Sequence, residues 1–240
     1  MRDTLIPRLH PELSYKIYNI GREQTPLLVI DNFIQDAHLL VEFCELNTQF
    51  SKVDNFYPGL RMEAPTKYLQ SIHHYLVELL EGVFELPRDK MAGGKSLYSI
   101  VVTPPDQLEP IQCIPHIDSY LSGDLACVHY LCDKEKGGTS LYRHRKTGYE
   151  TITSTNIDFY KECLFNEGAL ELEKKSYMNG SNNYFEQIAE VDAVFNRIII
   201  YPSNILHSGN IPSNFDFDPH PATGRLTLNS FIFRRREAAI

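Results

Sequence analysis

The chain has 240 residues, with 31 acidic against 23 basic side chains, a formal net charge of −8 and 42 % apolar residues. That length and composition suit one globular domain with a full hydrophobic core, and the acidic balance argues against the basic footprint of a nucleic-acid binder. The opening stretch MRDTLIPRLHPELSYKIYNIGREQ has no apolar run and no small-residue cleavage site, so no signal peptide is expected, and no window resembles a membrane span.

Taken in chain order, YKIYNI (15–20) and PLLVIDNFI (26–34) read as strands joined by the turn GREQT, and a helix is expected from Asp36 through DAHLLVEFCEL. NFYPGLRMEAP (55–65) is punctuated by Pro and Gly and reads as loop. From Thr66 to about Phe84, Leu69, Ile72, Leu76, Leu79, Leu80 and Val83 recur at three- and four-residue spacing, which predicts one amphipathic helix covering a sheet face. Six strand-like stretches follow: 96–103, 114–121, 125–132, 138–144, 196–203 and 225–234. They are short, rich in β-branched and aromatic residues, and do not alternate with helices, which predicts a jelly roll rather than a parallel α/β sheet. Residues 146–190 are polar and too long for a hairpin loop, so a lid-like insertion is expected there. The expected organisation is one domain over 1–240, with strands and supporting helices in 1–95 and a jelly-roll core in 96–240. The five cysteines form no C-x-x-C and have irregular spacings, the pattern of reduced, buried thiols in a cytoplasmic protein.

Chemistry enters with IPHIDSYL (114–121). If this stretch is a strand, His116 and Asp118 share a face. That arrangement serves a metal site or a buried ion pair, and the two residues alone leave both open. His207 follows the apolar strand NRIIIYPS, where an imidazole can reach back to a site inside a barrel. In GRLTLNSFIF, Arg225, Thr227 and Asn229 share one strand face while Leu226, Leu228 and Ser230 share the other. An inward arginine is a costly buried charge unless an anion meets it.

Two histidines, one carboxylate and an anion-binding arginine, in the order H-x-D, H, R, resemble the non-haem Fe(II)/2-oxoglutarate-dependent oxygenase superfamily. The nearer resemblance is to its prolyl-4-hydroxylase-like branch and that branch's bacterial relatives. LLVIDNFIQDAHLLVEFC is similar to the branch's opening strand and helix, HYL…KGGTSLY to its strand and Gly-Gly turn, and GRLTLNSFIF to its last strand. The resemblance covers most of the chain and implies a double-stranded β-helix, cupin-like core. It implies His116, Asp118 and His207 as Fe(II) ligands and Arg225 as the holder of the distal carboxylate of 2-oxoglutarate. Thr227, Tyr130 and Asn229 would line the co-substrate pocket. Arg225 follows His207 by 18 residues, longer than is usual in the family, and IPSNFDFDPHPAT reads as the loop insertion responsible. The implied reaction consumes O2 and 2-oxoglutarate to oxidise a small molecule or a peptide side chain. The retained carboxylate of Asp118 favours hydroxylation over halogenation.

Other polar residues divide between structure and substrate. Arg143, with His144 and Arg145, reads either as a solvated basic edge or as a substrate anion site, and Arg61 in YPGLR is read the same two ways. Tyr98 reads as core, with pocket lining as the alternative. His73 and His74 point about 100° apart on a helix and do not chelate one metal. His129 faces away from Tyr130. Two other functional classes remain open on the sequence: a non-catalytic cupin-like binding module with a vestigial metal site, and a metal-dependent cupin enzyme that does not use 2-oxoglutarate, in which Arg225 has no role.

Overall fold

The computed structural model describes residues 7–47, 49–52, 56–171 and 173–236. A hairpin, β1 (Ser14–Ile20) and β2 (Thr25–Asp31), is followed by α1 (His38–Leu46), β3 (Gly59–Glu63), α2 (Thr66–Tyr75), α3 (Val77–Phe84) and the long β4 (Met91–Val101). Then come β5 (Leu125–Tyr130), β6 (Thr139–His144), α4 (Ile157–Asn166), β7 (Phe185–Val191), β8 (Ile198–Pro202), β9 (His207–Gly209) and β10 (Leu226–Arg234). Seven strands form a major sheet in the order β1-β2-β8-β5-β10-β4-β3, and three form a minor sheet in the order β7-β6-β9. Every pairing is antiparallel. The two sheets are the walls of a jelly-roll core with flanking helices.

Alternation along the strands sorts side chains onto the two faces of the major sheet. Ile30, Tyr98, Ile100, Cys127, Ile198, Leu226 and Leu228 face outward and meet Leu40, Phe43, Tyr68, Ile72 and Leu80 of α1–α3. Leu27, Val29, Ala126, Tyr130, Ile199 and Tyr201 face inward and meet Leu141 of the minor sheet. The outer face of the minor sheet is covered by α4, where Tyr160 and Leu164 pack on Tyr142, Phe185 and Leu206.

The structure departs from the sequence expectations at four places. The helix expected over 66–84 is two helices: Leu76 (φ −105°, ψ 6°) breaks the axis, while its own side chain stays in the core. The loop expected at 55–65 contains β3, and Gly59 is what permits it, because a Cβ there would lie 1.9 Å from the Ile100 carbonyl oxygen. The strand expected at 114–121 is not regular: Pro110–Cys113 is a 3-10 turn, and the following stretch pairs only through a single bridge between His116 and His207. The 146–190 stretch carries α4 and most of β7, so it builds the minor sheet and its cover.

Candidate metal centre

The bridge between His116 and His207 is the root of the site. Each residue's backbone N–H donates to the other's carbonyl at 2.9 Å, and their rings come within 4.4 Å, centroid to centroid. The turn after β8 supplies the second anchor: the Ser203 carbonyl accepts from the N–H groups of both Asp118 (2.9 Å) and Ser119 (3.2 Å). These two tethers bring the Asp118 carboxylate between the imidazoles, one oxygen 3.3 Å from His207 Nε2 and the other 4.0 Å from His116 Nε2. Among the described residues this is the one trio of His, Cys, Asp or Glu whose donor atoms converge, all within 4.8 Å of one another.

The donor set fits a divalent transition metal. Cis ligands at about 2.1 Å from an ion stand about 3 Å apart, so a small contraction suffices. His207 donates through Nδ1 to the Ile205 carbonyl at 2.9 Å, which turns Nε2 toward Asp118 and makes it the nitrogen that would give up its proton to bind a metal. Two imidazole nitrogens and one carboxylate oxygen that converge are the donor types of a 2-His-1-carboxylate site, a set that suits non-haem Fe(II). The His116 side chain is 49 % exposed, against 6 % for His207.

Electrostatics couple the three groups. Partial loss of hydration, then the neighbouring His207, holds His116 below its usual value, so its imidazole is neutral at neutral pH. Burial pushes the Asp118 carboxyl up, but the charge and hydrogen bond of His207, with His116 and Arg61, pull it below its usual value. Burial pulls His207 down, and the Asp118 carboxylate overrides it and leaves the pKa raised.

On the inner face of the major sheet, one row of residues crosses four strands. Arg61 on β3 lies opposite Ser99 on β4, Ser99 opposite Thr227 on β10, and Thr227 opposite Tyr130 on β5. Arg225, just before β10, lies at the inner end with 5 % exposure. Its Nε and Nη2 donate to the carbonyls of Gly137 (3.3 Å) and Gly138 (2.8 Å). Among the described residues no carboxylate pairs with it. The Gly-Gly turn reaches this position because it has no side chains: a Cβ on Gly138 would lie 1.8 Å from the Val191 carbonyl oxygen. Tyr201 connects the two ends of the site, with its ring 5.0 Å from that of His207 and its hydroxyl in the field of both Asp118 and Arg225.

The residues singled out from sequence fall in three places. His116, Asp118 and His207 converge; Arg225, Thr227, Asn229, Tyr130 and Arg61 share the inner face. Thr227 bonds the Ser99 carbonyl at a long 3.5 Å, Asn229 Nδ2 reaches Ser99 Oγ at 3.4 Å, and Tyr130 donates its hydroxyl to Thr139 at 2.7 Å. Tyr98, opposite Leu228 and Met62, faces the helices and stacks on Phe43 at 6.0 Å, which removes it from the pocket. Arg143 is held by Glu150 and Glu186, and Glu150 also accepts from the N–H groups of Arg22 and Glu23, so this arginine ties the β1–β2 turn to the loop after β6. Its neighbour His144 is not a solvated edge but buried, bonded to Thr147 and Glu167. His129 faces the helices, as its alternation with Tyr130 requires. Sequence reasoning missed Ser99, Tyr201 and Tyr57, whose ring lies 4.3 Å from the Arg61 guanidinium carbon. Of these, Tyr201 had a readable signal, since it alternates with Ile199 on the strand leading to His207.

No helix of the described residues is long and apolar enough to cross a membrane. All five cysteines are free and buried. A comparison with curated proteins gives no match. Solved structures similar to this chain include the non-heme alpha ketoglutarate dependent carbocyclase SnoK from nogalamycin biosynthesis (TM-score 0.49, 11 % identity, 90 % of this chain and 85 % of that one). A Pseudomonas putida prolyl-4-hydroxylase gives a TM-score of 0.42 at 12 % identity over 93 % of this chain and 92 % of that one. HygX from Streptomyces hygroscopicus, with nickel and 2-oxoglutarate bound, gives 0.44 at 13 % identity over 90 % and 87 %. At the level of sequence families one model matches residues 11–232, nearly the whole described chain, and the protein belongs to that group, the family of unknown function DUF6445.

Proposed function

We propose that this chain is a non-haem Fe(II)- and 2-oxoglutarate-dependent oxygenase that hydroxylates a small molecule or a peptide side chain. The observation that carries the reading is the pairing of two features linked by Tyr201: a convergent His-Asp-His trio, and a buried arginine that has no carboxylate partner among the described residues. A buried cation of that kind is held at a cost of several kcal/mol unless an anion neutralises it. A metal-binding module, or a cupin enzyme without a dicarboxylate, leaves that charge uncompensated.

His116, Asp118 and His207 would hold the iron. Arg225 would take the distal carboxylate of 2-oxoglutarate in a bidentate pair, using N–H groups that its two glycine carbonyls leave free. Thr227 turns its hydroxyl from the long bond to Ser99, and Tyr130 turns its own from Thr139, to complete the cradle. Bound there, Fe(II) and 2-oxoglutarate supply O2 activation coupled to decarboxylation to succinate and CO2, and oxidation of a substrate C–H bond. The role of the protein is to fix position and exclude water: Tyr201, Ile199 and Leu141 close the inner wall with apolar surface. Asp118 occupies the ligand position that a halide would need, which favours hydroxylation.

The test is spectroscopic. Under anaerobic conditions, Fe(II) and 2-oxoglutarate are added to the apoprotein and the visible metal-to-ligand charge-transfer band is followed. The band is expected in wild type, absent in His116→Ala, and displaced to at least 30-fold higher 2-oxoglutarate in Arg225→Gln, on the scale of losing a charge-assisted pair. A wild-type protein that retains iron but gives no band with 2-oxoglutarate refutes the reading.

A further inference from the structure

We propose that β1 is an interface through which two copies of this chain pair, edge to edge, into one continuous sheet. The inference is independent of the oxygenase reading. β1 and β3 are the edges of the major sheet, and β7 and β9 those of the minor sheet. Three of these four edges are covered by other parts of the chain. Ser51 bridges to Arg61 of β3, the two N–H groups donating to each other's carbonyls at 3.0 and 2.9 Å. His116 does the same for His207 of β9. On β7, the Phe185 N–H donates to Asn182 Oδ1 at 2.8 Å and the Gln187 N–H to Ser181 Oγ at 2.9 Å. All seven residues of β1 pair with β2 on one side, and among the described residues no backbone group bonds its other side. The segment leading into β1 runs elsewhere, with the His10 N–H donating to the Phe33 carbonyl and the Arg8 carbonyl accepting from Gln35.

An open edge is a template for another strand, because alternate residues turn their N–H and C=O groups outward. Proteins that stay apart blunt such edges with proline, a bulge, several charges or a very short strand. SYKIYNI is seven residues long, keeps an unbroken register with β2, has no proline and carries one charge, Lys16. Its apolar side chains face water, Tyr15 at 51 % exposure, Ile17 at 49 % and Tyr18 at 45 %.

The strand itself selects a second copy as the occupant. Antiparallel pairing about a two-fold axis through Ile17 uses all seven residues. It sets Ile17 against itself, Tyr15 against Asn19, Lys16 against Tyr18 and Ser14 against Ile20. The one charge, which would repel its own counterpart, then meets a tyrosine ring. Opposed residues point to the same face of a sheet, so Tyr15 and Ile17 extend the face of Leu28 and Ile30 in both copies. Tyr18 and Ile20 extend the face of Leu27 and Val29. The helices of the two copies therefore lie on one side of the joined sheet. Because Ser51 covers β3 at the opposite edge, β1 meets another β1 rather than β3, and the contact closes as a dimer instead of growing into a filament.

The experiment follows the full chain by sedimentation velocity from about 1 to 200 µM, the range suited to so small an interface. Wild type passes from monomer to dimer. Ile17→Lys sets two like charges on the axis and weakens the dimer by at least about thirtyfold, while keeping a cooperative thermal transition because the side chain is half exposed. Ile17→Cys keeps the test independent of any folding loss in the lysine variant. Opposed residues of an antiparallel pair have Cα atoms about 4.5–5.5 Å apart, within disulfide reach, so mild oxidation gives a covalent dimer. Ser14→Cys, at the end of the strand and opposite Ile20, gives none, and the five native cysteines are buried. A wild type that stays monomeric throughout overturns the proposal and leaves this edge to a strand of a different protein. A dimer that Ile17→Lys leaves intact, or that Ile17→Cys does not cross-link, overturns it by placing the contact elsewhere. Growth past the dimer overturns the two-fold pairing.

Discussion

His129 gives the structure a measurable dependence on pH. Its ring is fully buried between sheet and helices; Tyr68 Oη lies 2.8 Å from Nδ1, and Asn196 Oδ1 lies 3.1 Å from Nε2. Asn196 Oδ1 also accepts from the Ile34 N–H, while Asn196 Nδ2 donates to the Ile34 carbonyl, which fixes the amide as an acceptor toward His129. His129 must then donate from Nε2 and accept at Nδ1, so the neutral tautomer is the one the fold holds. Burial lowers its pKa to about 4, against a partial rise from the Asn196 bond. In the unfolded chain it returns to about 6.5. Below pH 6.5 the unfolded state therefore binds a proton that the folded state refuses, and stability falls as pH falls towards the folded pKa. Between pH 7.5 and 4.5 the loss from this one residue is about 2.5 kcal/mol. Urea denaturation of wild type and His129→Gln across that range isolates it, because every other titrating group is common to both proteins. At pH 7.5 the variant is less stable by about 1–3 kcal/mol, from the poorer bonds to Tyr68 and Asn196. By pH 4.5 the difference closes. A stability difference that stays flat with pH shows that His129 does not titrate as its surroundings require, and refutes the tautomer argument.

Fe(II) or a redox-inert divalent substitute at about one hundred times its Kd stabilises the fold by about 2.7 kcal/mol. That corresponds to a rise in Tm on the order of 5–10 °C for a chain of this size; Asp118→Ala abolishes the rise, and calorimetry reads both. Glu150→Gln leaves Arg143 with one partner and removes a buried carboxylate that two backbone N–H groups also use, so it lowers stability by about 3–5 kcal/mol in chemical denaturation. Gly138→Ala pushes the turn away from Val191 and with it the carbonyl that holds Arg225. Its expected signature is a 2-oxoglutarate affinity at least tenfold weaker in the band titration, beyond any loss of stability.

The sequence singled out three residues that converge in the structure, but for a different geometric reason. An i, i+2 pair on a strand was the expectation for His116 and Asp118; the contact instead comes from a single bridge to His207 and a shared carbonyl at Ser203. Those are long-range backbone bonds that no local pattern encodes. The strand face of Arg225, Thr227 and Asn229 was legible because it depends only on the period of two. Tyr57 and β3 were not, because Pro58 and Gly59 signal a loop, and the need for glycine arises from the Ile100 carbonyl on a distant strand. The role of Arg143 was illegible for the same reason: it turns on Glu150 and Glu186.

The bridge between His116 and His207 has a consequence for folding as well as for the site. It joins segments about 90 residues apart in the chain through two backbone bonds, and the strand beside it, β9, has only three residues. An ion shared by both imidazoles would bind only where the two segments meet, so its binding free energy would offset the cost of closing that long loop. Metal affinity and the integrity of the minor sheet would then be one linked quantity, and removing such an ion would loosen the wall formed by β9 at the same time.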